Sequence, residues 1–169
     1  MSEANKRSRV EFKIRSASVE DSEGILRCLA EAFEPYRRQY TSEAFADTVL
    51  DRDSLKARMQ TMQIMVAVAN GEVIGTIAGA SRDGGIGHLR GMAVLPSFQG
   101  TGIAARLLDA IETHLRTIRC TRVTLNTTEP LSGAMKFYEK HGYQRSGRVS
   151  DFFGMRLIGY AKQIGDALD

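Results

Sequence analysis

The stretch His88–Leu115, HLRGMAVLPSFQGTGIAARLLDAIETHL, decides how the chain is read. His88 to Val94 reads as a strand, Pro96 breaks it, and Gln99, Gly100, Thr101 and Gly102 form a short turn of small residues. Beyond the turn, Ile103, Leu107, Ile111 and Leu115 recur every four residues with Leu108 beside them, one apolar helical face for packing on a sheet. A helix that opens directly from such a loop leaves its first N–H groups without intrahelical partners. Gly100 and Gly102 let an anionic group approach them, and the helix dipole adds partial positive charge, so the site suits a phosphate.

The spacing separates the phosphate ligands. Gly100-Thr101-Gly102-Ile103-Ala104-Ala105 satisfies the loose dinucleotide pattern, but that pattern belongs to the first βα unit, with an acid about 20 residues on. Here it comes past mid-chain, and the next expected strand, Arg122 to Asn126, ends without an acid. A P-loop needs Lys after the last glycine, and Gly102 is followed by Ile103. The acyl-coenzyme A pattern fits: Val94 to Ala104 resembles the signature of the GNAT superfamily of acyl-CoA-dependent N-acyltransferases, its core [QR]-x-x-G-x-[GA] met by Gln99, Gly102 and Ala104. Ala134-Met135-Lys136-Phe137-Tyr138-Glu139-Lys140-His141-Gly142-Tyr143 is similar to the later helix and turn of the same family.

With 169 residues, 43% hydrophobic and 25% charged, the chain has room for one sizeable core and too little for two ordinary domains. A polar leader over residues 1–9 and one domain over residues 10–169 are expected. There is no run of 18 apolar residues and the first ten residues lack a signal-peptide core, so a cytoplasmic protein without a membrane span is expected. The net charge of +3 suits an anionic cofactor, and no nucleic-acid motif appears. Cys28 and Cys120 show no metal or redox spacing and read as buried thiols, and no metal site is expected.

The rest of the chain supplies the sheet. Val10 to Arg15 alternates as a half-buried strand, and Ser18 with Asp21 caps a helix carrying Ile25, Leu29 and Phe33 that ends before Pro35. Phe33 to Thr41 reads as a loop, Ser42 to Met62 as helix broken near Asp51 to Ser54. Asn70-Gly71 between Ile64–Ala69 and Val73–Ala80 is a hairpin signal, and Asp83-Gly84-Gly85 turns into the strand at His88. Gly142 to Gly147 and Phe152 to Tyr160 are read as a final strand pair, a candidate homodimer surface.

These elements match the α/β (α+β) fold that the resemblance implies: a mixed, mostly antiparallel sheet flanked by helices, with splayed central strands, here His88–Val94 and Arg122–Asn126. The resemblance implies acetyl-CoA as co-substrate. The main chain of Gln99, Gly100, Thr101, Gly102, Ile103 and Ala104 would hold its pyrophosphate, and the main chain of Met92 and Val94 would pair with the pantetheine arm. Arg106 is within one turn of the phosphate site, and Asn126 is a candidate polar contact to the pantetheine. Leu131 stands where many relatives carry asparagine, and Phe33 to Thr41 corresponds to a connection that often lines the acceptor side.

Attack of an amine on a thioester needs a proton acceptor for the amine and a donor for the departing sulfur. The resemblance gives the donor role to Tyr138. For the acceptor the candidates are His88, in a stretch similar to a His-Leu-His segment of arylalkylamine N-acetyltransferases whose second histidine is here Arg90, then Glu129 and Asp83. His114 and His141 read as surface residues. The expected activity is transfer of an acetyl group to a primary amine of a small molecule or peptide, without a covalent enzyme intermediate. A coenzyme A-binding sensor or inactive relative is the alternative, and the acceptor's identity is left open by the sequence.

Overall fold

In the computed structural model, which describes residues 10–165, seven strands form one sheet. They are β1 (Lys13–Ser16), β2 (Gln63–Ala69), β3 (Glu72–Arg82), β4 (Ile86–Val94), β5 (Arg122–Thr128), β6 (Gln144–Phe152) and β7 (Met155–Gln163), ordered β1-β2-β3-β4-β5-β7-β6. Every neighbouring pair is antiparallel except β4 with β5. The helices are α1 (Ser22–Phe33), α2 (Ser42–Thr48), α3 (Arg52–Thr61), α4 (Ile103–Thr117) and α5 (Ser132–Lys140). This is the mixed, mostly antiparallel sheet flanked by helices that the sequence leads one to expect; the leader, residues 1–9, lies outside the described residues.

Local chemistry fixes most of the boundaries. The Asn70-Gly71 turn has φ of 51° and 75°, both left-handed, as the tight hairpin between β2 and β3 requires. The Ser18 backbone N–H donates to Asp21 Oδ2 at 2.8 Å, but the first turn it caps is 3-10, over Val19–Asp21, and α1 follows. The expected helical break falls at 49–51, where Asp51 Oδ1 accepts the Ser54 N–H at 2.8 Å and starts α3. Phe33 to Thr41 is largely a 3-10 segment, Glu34–Gln39, rather than an irregular loop. The first strand is shorter than the Val10–Arg15 alternation suggests, because only Lys13 to Ser16 pair with β2.

The final strand pair exists with different limits. Gly147, read as a strand end, has φ of 83° inside β6, where the register to β7 shifts between Arg145 and Val149. It is a bulge, and the turn is at Phe153-Gly154, with φ of 51° and 85°.

The helix that organises the sheet lies close to it because the strands beneath lack side chains at the crossing points. A β-carbon at Gly75 would come within 2.9 Å of Leu107 Cδ1, at Gly79 within 2.8 Å of Ile111 Cγ1, and at Gly87 within 2.7 Å of Leu115 Cδ1. Ile103, Leu107, Ile111 and Leu115 are all buried. Each buries an aliphatic side chain worth roughly 1.5–3 kcal/mol over the exposed state. The apolar stripe of α4 thus anchors the loop before it to β3 and β4, which positions the site.

Candidate active site

Leu89 and Leu125 are the last residues at which β4 and β5 run side by side. β4 stays paired to β3 as far as Val94 and β5 to β7 as far as Thr128. The two strands therefore splay, and each turns an unpaired backbone edge toward the gap, as the resemblance implies. β4 also bulges there: Thr76 pairs with Ala93 and Ala78 with Arg90, so Gly91 and Met92 together face Ile77, with Gly91 at φ 64°.

A cavity of about 360 Å³ occupies the gap. His88, Met92, Asn126 and Tyr138 line it, so four of the residues singled out in the sequence come together. Leu131, Phe33 and Tyr40 also reach it. Leu131 supplies no side-chain cap to α5, and the Tyr40 hydroxyl lies 2.6 Å from Thr128 Oγ1, tying the segment after α1 to β5.

Tyr138, on α5, is 7% exposed and sits edge-on to Phe137 and Tyr143, with ring centroids 5.3 and 5.5 Å away. Its side chain lines the cavity, and its hydroxyl is not one of the fully enclosed atoms left without a partner. Burial pushes its pKa up, which keeps the phenol protonated at neutral pH. The result is a neutral O–H donor held beside the cavity.

His88 departs from the ordinary imidazole that its sequence position suggested. Burial, with Arg82 and Arg90 adding positive charge, lowers its pKa to about 4. Its Nδ1 is 2.9 Å from Thr124 Oγ1, and that hydroxyl donates to Gly87 O at 3.5 Å. Either atom of the His88–Thr124 contact can be the donor, and the contact holds the ring in place against β5. The other candidate bases lie elsewhere: Glu129 pairs with Arg156 at 3.1 Å, and Asp83 is in the exposed turn before β4. His141 Nδ1 is 2.8 Å from Phe137 O, and both His141 and His114 are half-buried rather than fully on the surface.

The loop before α4 is braced from within. Gln99 Nε2 donates to Val94 O at 3.3 Å, and the Thr101 hydroxyl donates to Phe98 O. Gly100 and Gly102 adopt φ of 77° and 85°, and nothing lies within 4 Å of a β-carbon built on either. Their backbone is open for close approach by a phosphate, which is what a pyrophosphate at a helix N-terminus needs. Gly100, Thr101, Gly102 and Arg106 face a second, open depression of about 990 Å³ shared with Lys13 and Arg15. The Arg106 guanidinium lies 5.4 Å from the Phe12 ring centroid there. The side chains of Val94 and Ile103 are buried and that of Ala104 is half-buried, leaving those residues only main chain to offer.

Sequence reasoning missed two residues. Thr127 Oγ1 is buried in the cavity wall with no hydrogen-bond partner among the described residues. Arg58 of α3 reaches the cavity over Gly91. Neither carries a sequence signal, since one looks like a strand threonine and the other like a charge on an exposed helix. The two cysteines are buried free thiols, and burial pushes that of Cys28 up to about 12. Among the described residues no group of three or more His, Cys, Asp or Glu is placed to hold a metal ion. None of their helices is long and apolar enough to cross a membrane.

This fold, with its glycine-opened helix and splayed central strands, is that of an acyltransferase. Residues 25–143 match the model of the acetyltransferase (GNAT) family, and the chain belongs to that family. Solved structures of the same fold include the ribosomal-protein-S18-alanine N-acetyltransferase of Escherichia coli, at TM-score 0.75 and 14% identity over 92% of this chain and 95% of that one. The PaiA N-acetyltransferase of Thermoplasma acidophilum, solved in complex with coenzyme A, superposes at TM-score 0.74 and 21% identity over 91% and 99%. The IAA acetyltransferase of Bacillus cereus does so at TM-score 0.67 and 16% identity over 90% and 99%.

Proposed function

We propose that the chain is an N-acetyltransferase that moves an acetyl group from acetyl-CoA directly to a primary amine. The observation that carries this reading is the Tyr138 hydroxyl, protonated and lining the gap where β4 leaves β5. A coenzyme A-binding sensor has no use for a buried donor held at that point, which favours the enzyme.

Acetyl-CoA supplies an acyl group already activated as a thioester. The backbone of Gln99 to Ala104 holds the pyrophosphate, the free edge of β4 at Met92 and Val94 pairs with the pantetheine arm, and Asn126 and Thr127 face it from β5. As the new C–N bond forms, the neutral His88 imidazole accepts the amine proton directly or through one water. As the C–S bond breaks, Tyr138 protonates the departing sulfur. The burial that raises the phenol pKa also raises the basicity of a thiolate beside it, so the weaker acid faces a stronger base. We read residues 10–169 as one catalytic domain acting in the cytoplasm.

Thermal melts with acetyl-CoA, coenzyme A, NADH and ATP in parallel test the cofactor. A ligand at one hundred times its dissociation constant stabilises the folded state by about 2.7 kcal/mol. Acetyl-CoA and coenzyme A are expected to raise the melting temperature, and thiol release with amine acceptors then reports transfer. Stabilisation by NADH or ATP alone would overturn the reading.

A further inference from the structure

The charges around the cavity point to the acceptor. Its lining holds three arginines, Arg58, Arg82 and Arg90, against a single carboxylate, Asp47. Asp47 is already engaged, its Oδ2 2.8 Å from Arg90 Nη2. Glu34, the acid that would have favoured a cationic acceptor, bonds Arg37 at 3.0 Å and is not in the cavity wall. Arg58 and Arg82 make no salt bridge or side-chain hydrogen bond to any described residue.

Arg58 is the informative one. It is half-buried, and its Nη1 lies 2.8 Å from where a β-carbon of Gly91 would be, so a glycine at the β4 bulge makes room for a guanidinium. Burial and the neighbouring Arg90 lower its pKa to about 10, yet it remains charged at neutral pH. A half-buried guanidinium without a salt bridge has lost part of its hydration, and an incoming anion compensates that loss. Its planar fork matches a carboxylate with two parallel hydrogen bonds.

Resting on the acetyltransferase reading above, we propose that the acceptor is an amino acid, whose carboxylate is held by Arg58 with Arg82 at the rim while its amine faces the acyl group. Polyamines and other purely cationic amines meet a wall of the wrong sign. The apolar surface of Phe33, Tyr40 and Leu131 takes the remainder of the molecule.

The test compares kcat/KM for each of the twenty amino acids with that for its α-amide, and for 2-aminoethanol with that for phosphoethanolamine, by thiol release. At least one amino acid is expected to exceed its amide by about tenfold or more, the scale of a charge-assisted pair. Arg58→Met is expected to bring that ratio toward one, chiefly through KM, with Arg58→Lys in between; should Arg58→Met fail to fold, Arg82→Met is expected to reduce the ratio severalfold. Amides or phosphoethanolamine used as well as the amino acids, or a ratio unmoved by these variants, would overturn the proposal. So would wild-type protein that acetyl-CoA stabilises but that acetylates no amino acid, and that outcome leaves the acetyl-CoA reading standing. Protein that acetyl-CoA does not stabilise fails the underlying reading instead.

Discussion

His88 and Thr124 are register partners in the short stretch where β4 and β5 still run in parallel, and their side chains meet with Nδ1 2.9 Å from Oγ1. The histidine is thereby held next to the point where the strands part, buried and with two arginines near it. Its lowered pKa, about 4, leaves it neutral at neutral pH.

That state has two measurable consequences. With a pKa of about 4, His88 gives no inflection near pH 6.5, so kcat/KM is expected to rise about tenfold per pH unit from 6 to 8 as the amine loses its proton. His88→Gln is expected to lower kcat by about tenfold to a hundredfold without shifting that limb. A wild-type plateau starting near pH 6.5 would count against this assignment. On stability, the unfolded chain binds the His88 proton below about pH 6.5 and the folded chain only below about 4, so the contribution is present above 6.5 and lost as pH falls through that window. It is on the order of 3 kcal/mol. Urea unfolding of wild type and His88→Gln at pH 5 and 7.5 should give the steeper acid loss to the wild type.

Tyr138 makes a separate case, because its ring and its hydroxyl do different work. The ring packs against Phe137 and Tyr143, which phenylalanine preserves, while the hydroxyl lines the gap. Tyr138→Phe is therefore expected to melt within a few degrees of wild type, to bind acetyl-CoA about as tightly, and to turn over roughly 10²–10⁴ times more slowly. Unchanged turnover with saturating acceptor would remove Tyr138 from the chemistry.

The parts of this site carried by backbone were legible in the sequence, and the parts carried by tertiary crossing were not. Gly100 and Gly102 clear the start of α4 for an anion and Asn70-Gly71 turns a hairpin, so both could be read locally. Gly147 was misread because a glycine in a polar, exposed strand marks a bulge as readily as an end, and β6 has no apolar alternation to decide between them. Arg58 was invisible: it is one more charge on a largely polar helix whose buried residue is Leu55, and only the approach of that helix to the Gly91 bulge turns its guanidinium into the cavity. The low pKa of His88 was equally out of reach, since it depends on burial and on Arg82 and Arg90 closing around one strand position.

Glu112 and Lys162 offer a test of the scaffold rather than the chemistry. Glu112, on α4, is 4% exposed, and Lys162 Nζ of β7 binds both its oxygens at 2.7 and 3.0 Å, with the Tyr143 hydroxyl donating at 3.4 Å. This pair joins the helix that presents the cofactor loop to the strand that holds β5 in place. Removing one partner from a buried pair strands a charge, which typically costs about 3–5 kcal/mol, whereas replacing both can be nearly neutral. Lys162 is itself partly exposed, so Lys162→Met is expected near the lower end of that range. Adding Glu112→Gln to Lys162→Met should recover at least half of the loss, because the amide still accepts from Tyr143 and leaves no buried charge. A double variant no more stable than Lys162→Met alone would mean that the lysine stem packed against Gly142, and not the ion pair, joins α4 to β7.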